Sequence, residues 1–368
     1  MNEAVSRAAP LIGLRSDVLS PPTKEMFAAM AQARVGWALE GEDPSTFALE
    51  SEAAQLLGME SAVFLPSCTI ANQLAIKALG GQNALAIAGE NSHVARSEAR
   101  GLRDVYGVPV LTVSEYEGKP EIVSLVATLR QTQYGSRRPV VVIENTHNFA
   151  GGVALRPEDT TDVAMVAHRN QVPTLLDGAR LFNAATALDL EPRDLTGHLD
   201  AVAISLSKGL CAPVGALFVG NRTTTEAVRE LAKAIGAACM HKLGYLAAAG
   251  LLALRTMRNR LAEDHRRAAL LAQGLANVPG LALVPIAIRT NIVMVDVSRS
   301  RCGAGDIAVR LKQAGVGAFP MSPSRLRFCL HRGISDADVD RTISNVQQVV
   351  AEVILARVGP RKLRSNEI

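Results

Sequence analysis

Short, uninterrupted apolar runs alternate with longer stretches of helical periodicity through the first two thirds of the chain. Residues 62–65, 84–88, 109–113, 140–144, 174–177, 201–205 and 216–219 have strand length and are rich in Val, Ile, Leu and Ala. None shows the apolar–polar alternation of a strand with one wet face, so each predicts a strand buried on both sides. Between most of them lie amphipathic segments such as 69–79, 121–132 and 157–170, which predict helices. Strand–helix alternation of this kind means an α/β fold: a mainly parallel, seven-stranded sheet with helices on both faces.

A long helical stretch over 237–274 ends at Val278-Pro279-Gly280. A strand over 290–297, a helix over 305–314, a strand over 327–330 and a last helix from Asp336 follow, the pattern of a smaller α+β domain. Residues 1–25, with Pro21-Pro22, read as an N-terminal arm. The expected division is therefore an arm over 1–25, a large domain over 26–255 and a small domain over 256–368.

Composition narrows the function. The 368 residues are 48% hydrophobic and 20% charged, an ordinary globular balance, and aromatics make up only 4%. A formal charge of +4 with no stripe of Lys and Arg interleaved with aromatics argues against nucleic acid as a partner. The basic run 357–364 reads as a solvated tail. Cys68, Cys211, Cys239, Cys302 and Cys329 are scattered, odd in number and without metal-site spacing, so neither a disulfide framework nor a bound metal is expected. No secretory leader is legible at the N-terminus, and the apolar stretch 243–254 is too short to span a bilayer. These readings place the protein in the cytoplasm, away from membranes.

Five polar pieces fall at or just past predicted strand ends, where open parallel sheets bind ligands. Pro66-Ser67-Cys68-Thr69 opens a helix, where backbone N–H groups suit a phosphate, although Ser and Thr cap most helices. Asn91-Ser92-His93 offers an imidazole that could stack on a flat ring or move protons, although a loop histidine by itself more often makes a structural hydrogen bond. Glu144-Asn145-Thr146-His147-Asn148, followed by Gly151-Gly152, reads as a loop approaching a ligand closely. In Leu176-Asp177-Gly178-Ala179-Arg180, the aspartate could hold a protonated pyridine nitrogen and the arginine a carboxylate, or the two could form a structural pair. Last comes Ser205-Leu206-Ser207-Lys208-Gly209. A lysine past a buried strand, flanked by hydroxyls, suits Schiff-base chemistry. Asp177 and Lys208 together, on two strand ends, carry far more weight than either alone.

These segments resemble the threonine aldolase / β-eliminating lyase family, whose fold is the aspartate-aminotransferase-like fold type I of pyridoxal-phosphate enzymes. The likeness runs from Leu14-Arg15-Ser16-Asp17 through the motifs above and Gly41-Glu42-Asp43-Pro44 to Ser207-Lys208-Gly209-Leu210-Cys211-Ala212-Pro213-Val214-Gly215 and Thr290-Asn291-Ile292-Val293. The resemblance implies pyridoxal 5'-phosphate as cofactor, bound to Lys208 as a Schiff base. It further implies Asp177 at the pyridine nitrogen, His93 stacked on the ring, and Cys68 and Thr69 at the phosphate, with Ser205 nearby. Arg180, Arg327 and Ser16 would grip the substrate carboxylate. The implied reaction is cleavage of a β-hydroxy-α-amino acid to glycine, or a small amino acid, and an aldehyde, or the reverse. A homo-oligomer, dimer or tetramer, with shared sites is implied as well.

Departures from the family pattern cluster around that core. Glu40 stands for an active-site tyrosine, Cys68 for a glycine, Val18 for a threonine, and Leu175 for the histidine before the Asp-Gly-Ala-Arg motif. Tyr134 takes the place of a histidine that helps with protons at the β-hydroxyl. The element holding a cross-subunit phosphate-binding arginine is Ala237-Ala238-Cys239-Met240-His241-Lys242, so His241 or Lys242 would replace that arginine. The amino-acid core is kept while the shell near the β-substituent is rewritten, which predicts an active enzyme with altered substrate or bond choice. The alternatives are β-elimination, transaldol transfer or decarboxylation, or a non-catalytic paralogue that binds the cofactor.

Overall fold

The computed structural model describes residues 11–133, 135–238 and 241–358. It divides into two compact units, one spanning 20–263 with 286–290, the other 1–19 with 264–285 and 291–368.

The first unit is built on the expected seven strands: β1 (Ser61–Leu65), β2 (Ala84–Gly89), β3 (Val110–Val113), β4 (Arg138–Glu144), β5 (Thr174–Gly178), β6 (Ala201–Ser205) and β7 (Ala216–Gly220). Their spatial order is β1-β7-β6-β5-β4-β2-β3. The sheet is parallel except for β7, which runs antiparallel to both neighbours. Residues 206–215 between β6 and β7 contain no helix, so the chain turns back instead of crossing over, and the next strand is necessarily reversed. In the first half of the unit the helices are α1 (Lys24–Ala31), α2 (Pro44–Leu57), α3 (Cys68–Gly80) and α4 (Ala99–Tyr106).

Burial on both faces explains the unbroken apolar runs. In β4, Val141 and Ile143 face one core while Val140 and Val142 face the other, because successive side chains of a strand point to opposite sides. Ile87, Leu176, Ile204 and Leu217 join the first core; Val63, Ala86, Leu175 and Phe218 join the second. Leu175, where the family has a histidine, is fully buried. At about 1.5–3 kcal/mol for each large apolar side chain removed from water, these two layers are the main force holding the strand ends in register.

Helix starts follow local chemistry. Asp43 caps α2 by accepting the Thr46 N–H at 2.8 Å, with Pro44 at the first helical position. Ser67 caps α3 by accepting the Ile70 N–H at 3.3 Å. The helical stretch foreseen over 237–274 is instead Gly244–Thr256 and Leu261–Ala276, separated by a 3-10 turn at Arg258–Arg260. There Arg258 Nε donates to the Leu254 carbonyl at 2.9 Å, satisfying one of the carbonyls at the first helix's end. Two further features had no signal in the hydrophobic pattern: a hairpin pairing Glu115–Tyr116 with Lys119–Pro120, and a π-helical turn over Val94–Glu98 leading into α4.

The second unit carries an antiparallel sheet of β8 (Ala282–Leu283), β9 (Ile292–Asp296), β10 (Phe319–Pro320) and β11 (Arg325–Cys329), in the order β8-β9-β11-β10. Leu14, Leu271, Val293, Val295, Phe328 and Val350 pack its core, and the long helix Asp336–Val358 completes it. This is the smaller α+β architecture that the alternation in the last third predicts.

Candidate active site

Register places the polar pieces side by side. Glu144 ends β4 directly opposite Asp177 on β5, and Asp177 is opposite Ala203 on β6, two residues before Ser205. All three lie at the C-terminal ends of parallel strands, the edge where such sheets bind ligands. Asp177 is buried, and its Oδ1 accepts the Ala179 N–H at 3.2 Å. Ser205 is buried at its strand end, and Lys208 follows in a half-buried turn. The turn is closed by the Cys211 N–H donating to the Lys208 carbonyl at 2.9 Å and the Ala212 N–H to that of Leu206. Cys211 holds a left-handed φ of 64°, its thiol 2.6 Å from the Ser20 hydroxyl.

The N-terminus of α3 meets this edge. The Cys68 thiol lies 3.9 Å from Asp177 Oδ1. Burial and then the Asp177 charge push that thiol well above its ordinary pKa, against the opposing pull of Lys208, so it stays a neutral S–H at neutral pH. Register sets Asp177 on the strand beside the one that leads into Lys208. The first amides of α3 are orphan donors at the positive end of a helix dipole, and Thr69 beside Cys68 is half-buried.

His93 arrives through the π turn. Five-residue spacing there brings its Nδ1 to 2.9 Å from Glu98 Oε1, which also accepts from Asn72 Nδ2 at 3.2 Å. Ligand atoms of His93, Glu98 and Asp177 lie within 4.8 Å of one another. Burial raises Glu98, and the hydrogen bond from His93 opposes it. For His93, burial acts downward, yet the hydrogen bond to Glu98 and the charges of Asp177, Glu98 and Glu144 leave it above the ordinary histidine value. The pair is built to share a proton beside Asp177.

Arg180 is buried at the start of Leu181–Leu188, with Nη1 3.5 Å from Asn148 Oδ1. Asn148 donates its own N–H to Glu144 Oε1 at 2.8 Å, and Glu144 Oε2 accepts the His93 N–H at 2.5 Å. One carboxylate thus ties the arginine's support to the histidine's backbone. Sequence reasoning marked Glu144 only as part of a loop motif, with no role of its own, and did not mark Glu98. The i,i+5 spacing of His93 and Glu98 would face them apart on an α-helix and carries meaning only once the π turn is seen.

Glu40 is exposed at the end of a single 3-10 turn, Ala38–Glu40. His241 and Lys242 are both exposed. Ser16 and Arg327 belong to the second unit: the Ser16 hydroxyl accepts the Val18 N–H at 3.3 Å, and buried Arg327 donates to the Arg15 carbonyl at 2.8 Å with its guanidinium 5.0 Å from the Phe319 ring centre. Tyr134 lies outside the described residues.

A lysine and a buried carboxylate on neighbouring strand ends, an imidazole at that edge and the N-terminus of a helix define a site for a flat cofactor with a pyridine-like nitrogen and an anionic tail. Comparison with known proteins agrees. The family model described as "Beta-eliminating lyase" matches residues 13–300. The chain is 35% identical over 344 residues to "Probable low-specificity L-threonine aldolase 2" of Arabidopsis thaliana, covering 92% of this chain and 97% of that protein. It is 32% identical to the "Low specificity L-threonine aldolase" of Escherichia coli O157:H7, with 88% and 95% covered. The solved threonine aldolase of Leishmania major has the same fold, with a TM-score of 0.77 at 20% identity over 92% of this chain and 99% of that one. The chain belongs to the β-eliminating lyase family.

Proposed function

We propose that this protein is a pyridoxal-phosphate-dependent carbon–carbon lyase that cleaves a β-hydroxy-α-amino acid to glycine, or a small amino acid, and an aldehyde, or runs the reverse addition. The observation that carries this is the register that sets Asp177 on the strand beside the one leading into Lys208, with the Cys68 thiol at a helix N-terminus 3.9 Å from the Asp177 carboxylate. Pyridoxal 5'-phosphate, when bound, supplies an electron sink for the pair released as the Cα–Cβ bond breaks.

The residues present fit that group. Lys208 Nζ would carry it covalently, the Asp177 carboxylate would hold a proton at its ring nitrogen, and the Cys68 and Thr69 amides would take its phosphate. His241 or Lys242, both exposed, is the side chain we assign to a phosphate across a subunit boundary. Arg180 presents a planar fork suited to a substrate carboxylate, oriented by Asn148. Ser16 and Arg327 are assigned to the same carboxylate, and Glu40 to the substrate's far side. His93, with Nδ1 engaged by Glu98, keeps Nε2 for ring contact or for holding a proton. Tyr134 is assigned to the β-hydroxyl proton.

We further propose a cytoplasmic homotetramer. Among the described residues no helix is long and apolar enough to cross a membrane, and Cys68, Cys211, Cys302 and Cys329 form no disulfide. Phe27, Trp37 and Phe47 are more than half exposed, apolar area that a second copy would cover.

The test is to add the cofactor, record visible absorption before and after borohydride, and repeat with Lys208→Ala. Wild type should give a band that borohydride discharges into a covalent lysine adduct, and the variant no adduct. A panel of β-hydroxy amino acids should then yield glycine and aldehyde. Ammonia and a keto acid would make the protein a β-eliminating enzyme instead. No band at all would overturn the reading.

A further inference from the structure

A buried group beside the site has no role in the chemistry so far. Glu115 comes from the short hairpin after β3, Glu144 ends β4, and His147 follows three residues on. The His147 side chain is 1% exposed. Its Nε2 lies 3.4 Å from Glu115 Oε2 and 3.8 Å from Glu144 Oε2. Its Nδ1 accepts the Ala150 N–H at 3.1 Å. The chain has cleared space for this group: a Cβ on Gly89 would fall 1.9 Å from Glu115 Oε2, and one on Gly118 2.6 Å from His147 Cβ.

Glu144 accepts from the His93 N–H and from Asn148, the residue that supports Arg180. The backbone of His93 is therefore held by a carboxylate that, with Glu115, faces a single imidazole. Two buried carboxylates side by side are costly without a compensating group, and packing alone would be served better by apolar side chains.

We propose that His147 is a positioning residue of the lyase site: it keeps Glu115 and Glu144 in place, and Glu144 fixes the backbone N–H of His93, the residue that presents the ring. The inference rests on the functional reading above. Two demands compete at the imidazole. Burial acts downward on its pKa, while Glu144, Glu115 and the more distant Asp177 leave it above the ordinary histidine value. Yet a second proton would sit on Nδ1 and break the bond from Ala150. The geometry thus selects the tautomer with hydrogen on Nε2, aimed at the carboxylates.

The test compares wild type with His147→Leu, His147→Gln, His93→Ala and the double variant His93→Ala/His147→Leu, all loaded with cofactor. His147→Leu should lower kcat for aldol cleavage about tenfold or more with little change in KM, and His147→Gln, which keeps an N–H toward the carboxylates, should recover most of it. The double variant should be no slower than His93→Ala, because His147 acts through His93. Visible circular dichroism of the bound cofactor, read without substrate, should weaken in His147→Leu and return in His147→Gln. Additive losses in the double variant, or unchanged dichroism, would overturn the inference. Should His147→Leu not fold, Glu115→Gln takes its place with the same expected non-additivity. In the cofactor-free protein the His93 imidazole resonances should shift in His147→Leu and return in His147→Gln. Unshifted resonances sink the inference whatever reaction the enzyme performs, whereas a wild type without a cofactor band sinks only the functional reading.

Discussion

His93 Nδ1 lies 2.9 Å from Glu98 Oε1, and the two are brought together by a π-helical turn rather than an α-helical one. Glu98 is buried and Asn72 holds the same oxygen, so the carboxylate cannot follow the imidazole if the turn shifts. Glu98→Gln keeps the hydrogen-bonding shape but removes the charge that raises His93. The limb of the pH–rate profile that reports His93 should move to lower pH, with kcat lower by about tenfold. A profile that does not move would mean that His93 holds no proton in the reaction.

The same pair predicts how stability depends on pH. His93 is raised above 6.5 and Glu98 above 4.5 on folding, so the native protein holds more protons than the unfolded chain. The histidine's contribution is whole below pH 6.5 and is lost as pH rises through its folded value; the glutamate's is whole below 4.5 and is lost likewise. Urea midpoints of the cofactor-free protein should therefore fall as pH climbs, and the slope above pH 6.5 should flatten in His93→Ala.

Cys68 should be a slow nucleophile despite standing at the site. Burial and Asp177 raise its thiol, and Lys208 is the positive neighbour that works against them. Iodoacetamide should label Cys68 at least about tenfold slower than a free cysteine at neutral pH, and Lys208→Ala should slow it further. Peptide mass spectrometry after timed labelling checks both; faster labelling in the variant would contradict the electrostatic picture.

Leu176 is fully buried in β5, one residue before Asp177. Leu176→Ala should cost about 2–5 kcal/mol in a denaturant titration and loosen the strand end that carries the carboxylate. Gly118→Ala should also destabilise, because Gly118 has a φ of 84° and His147 fills the space a side chain would need. Its effect should be mainly on the cofactor's visible dichroism, since the hairpin touches the site through Glu115 and His147.

Much of the frame is legible along the chain. The seven apolar runs became the seven strands of one sheet because double-sided burial leaves no room for polar alternation, a property each run displays by itself. Asp177, Ser205, Lys208, Cys68 and His93 are all marked by position at strand ends or helix starts, and the fold brings them to one edge. The reversed direction of β7 was not legible, since strand composition does not record direction.

What the tertiary structure alone decided concerns partners rather than elements. Glu98 reads as one more charge on a polar helix face until the π turn carries it to His93. Glu115 sits in a stretch with no apolar periodicity, and His147 belongs to a motif whose ligand-facing member could equally have been Asn148. Their meeting depends on a short hairpin folding back against a strand end, for Glu115 and His147 across a separation of 32 positions in the chain. Hydrophobic pattern specifies which face of each element is buried. It does not specify which buried polar groups then face one another, because that is fixed by register between strands and by the few glycines that let the groups approach.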